Sequence, residues 1–452
     1  MKQKIVFSVI GVGFLSVINL NAANDFNSMF SDGKVSGQIR SFYIDRKYQG
    51  TSGARTHRNG TAIGGYLKYV TDDYKGLSLG AAFYTTNSLF LETPKNDYTQ
   101  NDPSLFGKDN KSFTILGEAY INYDFDNTSF KGGRMKLNTP MDFPDDSRMI
   151  PNLYEAYILT NKDIKDTTLT LGHISKFSQG TFGRVYTGGL LAATSGYSAV
   201  DARGQVGEFK NIGSYSFGKS TDGVTMASIS YNGIKNLKLN LWDYYAHDIV
   251  NAIYGDLNYS WNCLLSDKVK PFLGMQFIKE NDVGDSVVKN GLGGDGKIDS
   301  FYGALKIGAR YNGFTAFVAH SQTTDNNAGD NPYKNAIIST WGGMPSYTYS
   351  MVSRHQFLAG TDATKVVGSY SFKEQGLNLS TTLYHASYDM DKNSGFGIAR
   401  TATENGFDLK YYPAAVKNLQ VRLRGNFPRK FGETSSGTTG WDEYRFIVNY
   451  NF

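Results

Sequence analysis

Five cations, Arg40, Lys410, Arg422, Arg424 and Arg445, stand among alternating apolar neighbours. In Leu419-Gln-Val-Arg-Leu-Arg-Gly-Asn-Phe427, an extended chain puts Leu419, Val421, Leu423 and Phe427 on one face and Gln420, Arg422, Arg424 and Asn426 on the other. The closing segment repeats the scheme, with Tyr444, Phe446, Val448, Tyr450 and Phe452 opposite Arg445, Asn449 and Asn451; Ile447 alone breaks it. If the segments carrying the five cations are neighbours in one sheet, they form a basic wall with only Asp408 nearby, all within roughly 15 Å of one height at 3.3 Å per residue. Such a wall attracts a carboxylate or small anion and passes it between overlapping sites without trapping it. The guanidinium fork also fits a carboxylate at two points. The plainer account is that Arg and Lys on a polar face are ordinary solvation.

A second candidate is the stretch 137–151, Leu-Asn-Thr-Pro-Met-Asp-Phe-Pro-Asp-Asp-Ser-Arg-Met-Ile-Pro. Pro140, Pro144 and Pro151 exclude a strand. Met141, Phe143, Met149 and Ile150 would be oddly placed on an outer loop, so the stretch is expected to fold inward and set Asp145, Asp146, Ser147 and Arg148 opposite the cations. The alternative is an external loop whose apolar residues pack on neighbouring loops.

Other chemistries find little support. The close Ser/His pairs, His320 with Ser321 and His385 with Ser387, are strand neighbours expected to point apart. The six His have no metal spacing, and Gly293-Gly-Asp-Gly-Lys-Ile-Asp299 lacks an EF-hand's ligands. No enzyme, metal or cofactor is expected. The lone Cys263 cannot form an internal disulfide.

What positions these residues is a recurring alternation. The chain has 452 residues with Gly 50, Tyr 31 and Phe 29, and no linker divides it. A helical membrane protein is excluded, because no apolar run after the N-terminus nears the roughly 18 residues a spanning helix needs. Residues 1–23 read as a cleaved signal peptide, with Lys2 and Lys4 before the apolar run Ile5 to Ile18. Removing those two lysines takes the charge balance from 46 − 41 = +5 to 44 − 41 = +3, which gives no case for nucleic acid. Residues 24–452 form one domain. Alternating segments recur at about 34–46, 61–70, 77–86, 113–125, 129–136, 154–160, 167–177, 224–231, 237–246, 252–261, 269–278, 301–311, 314–321, 365–373, 377–384 and 407–412, followed by the final hairpin.

Short turns alternate strictly with long polar loops, and the count reaches about eighteen. With no helix available to cover the apolar faces, the fold class is all-β: a transmembrane antiparallel β-barrel with short periplasmic turns, long extracellular loops and an inward-folded constriction loop, in contact with outer-membrane lipid. A soluble β-solenoid or sandwich is the rival, but no fixed repeat period is present. A barrel of this size encloses an aqueous channel.

The run Gly133-Arg-Met-Lys-Leu-Asn-Thr-Pro140, followed by Asp145-Asp-Ser-Arg-Met-Ile-Pro-Asn-Leu-Tyr-Glu155, resembles the inward loop of the OprD family of substrate-specific outer-membrane porins, particularly forms from epsilon-class proteobacteria. The resemblance covers the mature chain in layout and is motif-specific around 133–155. It implies an eighteen-stranded barrel in the bacterial outer membrane, monomeric or loosely trimeric, that takes up small carboxylate-bearing solutes. It also implies a second inward loop, whose expected equivalent is 323–362, with Trp341, Met344, Pro345, Tyr347 and Tyr349. A general diffusion porin and a plugged barrel acting in adhesion stay open. The Gly-rich segment 178–220 suggests no fold.

Overall fold

The computed structural model describes residues 23, 25–50, 57–88, 101–285, 296–434 and 437–452. The signal-peptide reading of 1–23 lies outside these residues apart from Ala23, as do residues 293–295 of the stretch 293–299. Eighteen strands make the barrel. The first nine are β1 (Lys34–Gly50), β2 (His57–Val70), β3 (Leu77–Asn87), β4 (Phe113–Phe125), β5 (Thr128–Met135), β6 (Leu153–Asn161), β7 (Thr167–Ser178), β8 (Val224–Tyr231) and β9 (Leu237–Ala246). The second nine are β10 (Val250–Ser260), β11 (Val269–Asp282), β12 (Asp299–Tyr311), β13 (Phe314–Thr323), β14 (Thr361–Ser371), β15 (Leu379–Met390), β16 (Arg400–Tyr411), β17 (Leu419–Arg429) and β18 (Gly437–Asn451).

Each strand pairs antiparallel with the next, and β18 returns to β1 with Arg40 opposite Asn449 and Ile44 opposite Arg445. Closure leaves no sheet edge, so every spanning backbone group finds a partner without water. The turns follow the sequence: Asn312 and Gly313 both take positive φ, 42° and 77°, as a two-residue hairpin requires. Outward side chains are apolar and bare, among them Leu67, Ile121 and Ile307, more than half exposed. That is the outer wall a bilayer covers.

Three expectations are corrected. First, β4 does not keep one apolar face. A register shift opposite Ala82 and Phe83 turns Ile115 inward against Tyr84, while Ile121, Tyr123 and Phe125 face out. Second, β14, β16 and β18 run further toward the extracellular side than the alternation suggests. Their upper inward positions, Ala363, Ala402 and Trp441, are apolar because they pack on inserted loops, while the outward neighbours Thr364, Thr401 and Asp442 are polar, so the alternation continues with its faces exchanged. Third, long loops do not alternate strictly with short turns, since β9 and β10 are joined on the extracellular side by residues 247–249 alone.

Candidate functional site

Three segments enter the barrel: 136–152, 179–223 and 324–360. In the first, Met141, Met149 and Ile150 are at most 2% exposed, so the inward placement shelters them as expected. Asp142 forms a β-bridge with Gly342 of the third segment. Gly342 has φ +87, and a Cβ there would lie 2.3 Å from the Phe143 carbonyl, so this contact needs glycine. Trp341 is fully buried: its indole N–H donates to Ser216 Oγ at 2.9 Å, and its carbonyl accepts from the Tyr154 hydroxyl at 2.6 Å. Segment 179–223 is thus the third wall of one plug, and 323–362 is a second inward loop.

The four loop residues separate by role. Asp145 is buried and accepts from Arg354 at 2.9 Å and from the Tyr197 hydroxyl at 2.8 Å, joining all three segments. Arg148 is fully buried, donating to Ser104 Oγ at 2.9 Å and pairing with Glu443 at 3.2 Å. Ser147 is half-buried. Asp146 alone faces open lumen, 2.6 Å from Arg40. Burial raises its carboxyl, but Arg40, Lys136 and Arg422 more than offset that and hold it below the ordinary carboxylate range. The expected placement of the loop opposite the cations is corrected: Asp146 lies against the cation wall, paired with Arg40, and Arg148 is held by Glu443, the partner of Arg445, because these ion pairs fasten the loop to that wall.

Pairing of β16, β17, β18 and β1 brings the five cations onto one wall. Lys410 lies opposite Arg422, Asp408 opposite Arg424, and Arg424 opposite Arg445. The wall then divides. Lys410, Arg422 and Arg424 keep 38%, 23% and 13% of their side chains exposed and converge on Asp408 at 3.7, 2.5 and 3.8 Å. Arg40 and Arg445 are buried. Arg40 donates to Asn449 at 2.9 Å and to the Arg148 carbonyl; Arg445 pairs with Glu443 and donates to Asn426 at 2.6 Å. Glu443 also holds Arg46 at 2.7 Å. The expectation of Asp408 as the only nearby carboxylate is thus corrected: Glu443, two residues from Arg445 on the same face, and Glu404, four before Asp408, belong to the wall. The same alternation predicts both. Ile447 breaks the polar face because it packs on Phe42, Ile44, Met149 and Ile150.

The same parity also marks residues that the motif reading passed over. Lys365 on β14 donates to the Tyr349 carbonyl and lies 5.1 Å from the Tyr349 ring. Lys306 on β12 lies 3.9 Å from the Tyr347 ring. Glu404 accepts the backbone N–H groups of Met351 at 3.0 Å and Ser353 at 2.7 Å, anchoring the third segment to the wall. Of the Ser/His pairs, His320 and Ser321 are separated as expected: His320 faces out and bonds Thr364 at 3.0 Å, and Ser321 is buried inside, while His385 bonds Asn405 at 2.8 Å. Contrary to expectation, His385 and Ser387 share the outer face, being two residues apart.

Asp142 supplies a pH response. Burial, offset only in part by the Thr139 hydroxyl, pushes its carboxyl up to about 7. Its folded value lies above its ordinary 3.8, so the buried site favours the proton; stability is lost as pH rises from about 4 to about 7 and stays lower above that. Above about pH 7 the junction of the first and third segments should loosen, seen as more frequent current fluctuations in planar bilayers. Asp142→Asn should make that noise independent of pH, and an unchanged pH response in this variant would rule the residue out.

A closed barrel with an apolar outer wall and a lumen narrowed by inserted loops is an outer-membrane channel. The family model described as outer membrane porin, OprD family, matches residues 27–452, and the chain belongs to that family. No curated protein matches by sequence. Among solved structures, the chain is similar to OccK9 (OpdG) of Pseudomonas aeruginosa, with TM-score 0.73, 17% identity and coverage of 94% of this chain and 99% of that one. It is also similar to Pseudomonas aeruginosa OpdK, solved with vanillate, and to a BenF-like porin from Pseudomonas fluorescens; each gives TM-score 0.72, 16% identity and the same coverage. Fold and family are those of outer-membrane porins, which are channels rather than enzymes.

Proposed function

We propose that this porin favours small carboxylate-bearing solutes, led past Arg424, Arg422 and Lys410 on one wall, with Asp146 paired to Arg40 at the margin of that wall and the inserted loops narrowing the lumen. The observation that carries this reading is the shared Asp408. Three partly exposed cations on one carboxylate leave a positive surplus in the lumen, and Asp408 competes with any solute anion. A solute carboxylate therefore replaces Asp408 at one cation while the next is still held, so attraction does not become trapping. Lys365 and Lys306, each beside a tyrosine ring, extend the basic lining around the lumen. Vanillate, with which OpdK was solved, is itself a carboxylate.

Liposome swelling with size-matched carboxylate and amine solutes tests this reading. Arg422→Ala/Arg424→Ala should slow the carboxylates on the order of tenfold, the scale of electrostatic focusing in a lined cleft, and leave the amines unslowed. Equal rates for both solutes in both proteins would make the protein a general diffusion pore.

A further inference from the structure

One turn recurs on the periplasmic rim. Tyr74-Lys75-Gly76-Leu77, Ile164-Lys165-Asp166-Thr167, Ile234-Lys235-Asn236-Leu237 and Val416-Lys417-Asn418-Leu419 lead into β3, β7, β9 and β17. In each, the carbonyl of the first residue accepts the N–H of the fourth, at 3.0, 3.0, 3.0 and 3.4 Å. The third residue has φ of 87°, 56°, 65° and 66°, which Gly, Asp and Asn tolerate. That backbone accounts for the third position and not for the first two. Asp126-Asn127 joins β4 to β5, and Asn312-Gly313 joins β12 to β13, with neither an apolar residue nor a lysine.

Ile164, Ile234 and Val416 are each about half exposed. A single exposed apolar residue is ordinary, but the same place in the same turn filled three times by Ile or Val, each followed by Lys, is a pattern. Lys165, Lys235 and Lys417 are exposed and have no hydrogen bond or ion pair with any described residue. The fourth copy shows the level at which these turns lie. Tyr69, two residues past the outward Leu67, donates its hydroxyl to the Phe30 carbonyl, so the helix Phe26–Ser31 lies at the lower edge of the outer wall. The exposed Phe26 ring stands 6.4 Å from that of Tyr74, and Lys75 lies 5.2 Å from the same tyrosine. Aromatic rings beside a lysine at that edge are where acyl chains give way to headgroups.

We propose that these four turns bind anionic glycerophospholipids of the periplasmic leaflet, the apolar residue entering the acyl boundary and the neighbouring lysine pairing with the headgroup phosphate. A zwitterionic headgroup offers the same phosphate beside its own fixed cation, so the lysines favour the anionic lipid. The turns are spread around the rim, between β2 and β3, β6 and β7, β8 and β9, and β16 and β17. One barrel therefore holds several lipids, and they fix the depth at which it sits.

Native mass spectra of the whole protein in nonionic detergent, with equal amounts of phosphatidylglycerol and phosphatidylcholine of the same chains, test this. Wild type should retain phosphatidylglycerol at least about tenfold over phosphatidylcholine, since each lysine beside an anionic headgroup contributes roughly fivefold. Lys75→Gln/Lys165→Gln/Lys235→Gln/Lys417→Gln should bring the two lipids to parity with conductance unchanged, which shows the barrel intact. The same four lysines changed to arginine should keep the preference, and Ile164→Ser/Ile234→Ser/Val416→Ser should weaken both lipids together. Equal retention of the two lipids by wild type, an undiminished preference in the glutamine variant, or a lost preference in the arginine variant would overturn the proposal. So would lysine-dependent sedimentation with purified peptidoglycan, or lysine-dependent retention of a phosphorylated glycolipid in preference to phosphatidylglycerol.

Discussion

Glu443→Gln is expected to cost the barrel roughly 3–5 kcal/mol, the range for removing one partner of a buried ion pair. Glu443 is fully buried; Arg46 lies 2.7 Å from its Oε2, and Arg148, at 3.2 Å, and Arg445 share its Oε1. The second carboxylate within reach, Asp102, lies 3.3 Å from Arg46 and already accepts from Ser104 N–H and Oγ. Without Glu443, three guanidiniums would share one carboxylate in a site closed to water. Arg148 belongs to the inserted loop and the other two to β1 and β18, so the loss reaches both the plug and the seam that closes the barrel. Guanidinium unfolding in detergent should show an earlier midpoint. The partly exposed pair Arg429 with Asp442, at 2.7 Å, is the control, and Asp442→Asn should change stability by under about 1 kcal/mol. Equal midpoints for the two variants would refute the central role of Glu443.

Arg354→Ala should act on the channel rather than on the wall. Arg354 is buried, pairs with Asp145 at 2.9 Å, donates to the Ser195 carbonyl at 3.1 Å and lies 4.5 Å from the Phe182 ring. Its loss leaves the Asp145 carboxylate buried with only the Tyr197 hydroxyl, again a cost of roughly 3–5 kcal/mol. None of these partners lies on a barrel strand, so the expected result is a barrel that melts near the wild-type temperature but conducts more, with frequent fluctuations, as the three segments separate. Arg354→Lys keeps the charge without the planar fork and should give an intermediate phenotype. Wild-type conductance in Arg354→Ala would show that the segments are held without this ion pair.

Much of this molecule was legible from alternation alone. Side chains point to opposite faces of a strand, so Leu419 to Phe427 announces a wall between lipid and water wherever one face meets each. The Asn312-Gly313 turn, the proline-rich loop with its sheltered methionines, and the strand count followed from equally local rules. The rule failed where a third surface intervened. Upper β14, β16 and β18 touch the plug rather than water, so inward Ala363, Ala402 and Trp441 are apolar while outward Thr364, Thr401 and Asp442 are polar, and the expected faces are exchanged. At β4 one extra residue reversed the faces.

The basic wall marks the boundary most clearly. Local spacing determined that Arg40, Lys410, Arg422, Arg424 and Arg445 point inward, because inward or outward depends on the period of a single strand. Which of them meet solute was decided by partners brought in from afar. Asp146, 106 residues from Arg40 in the chain, buries that guanidinium. Arg148, 295 residues before Glu443, helps seal the site of Arg445. Exposure is a property of everything packed around a side chain, and only the closed barrel with its inserted loops specifies that surrounding.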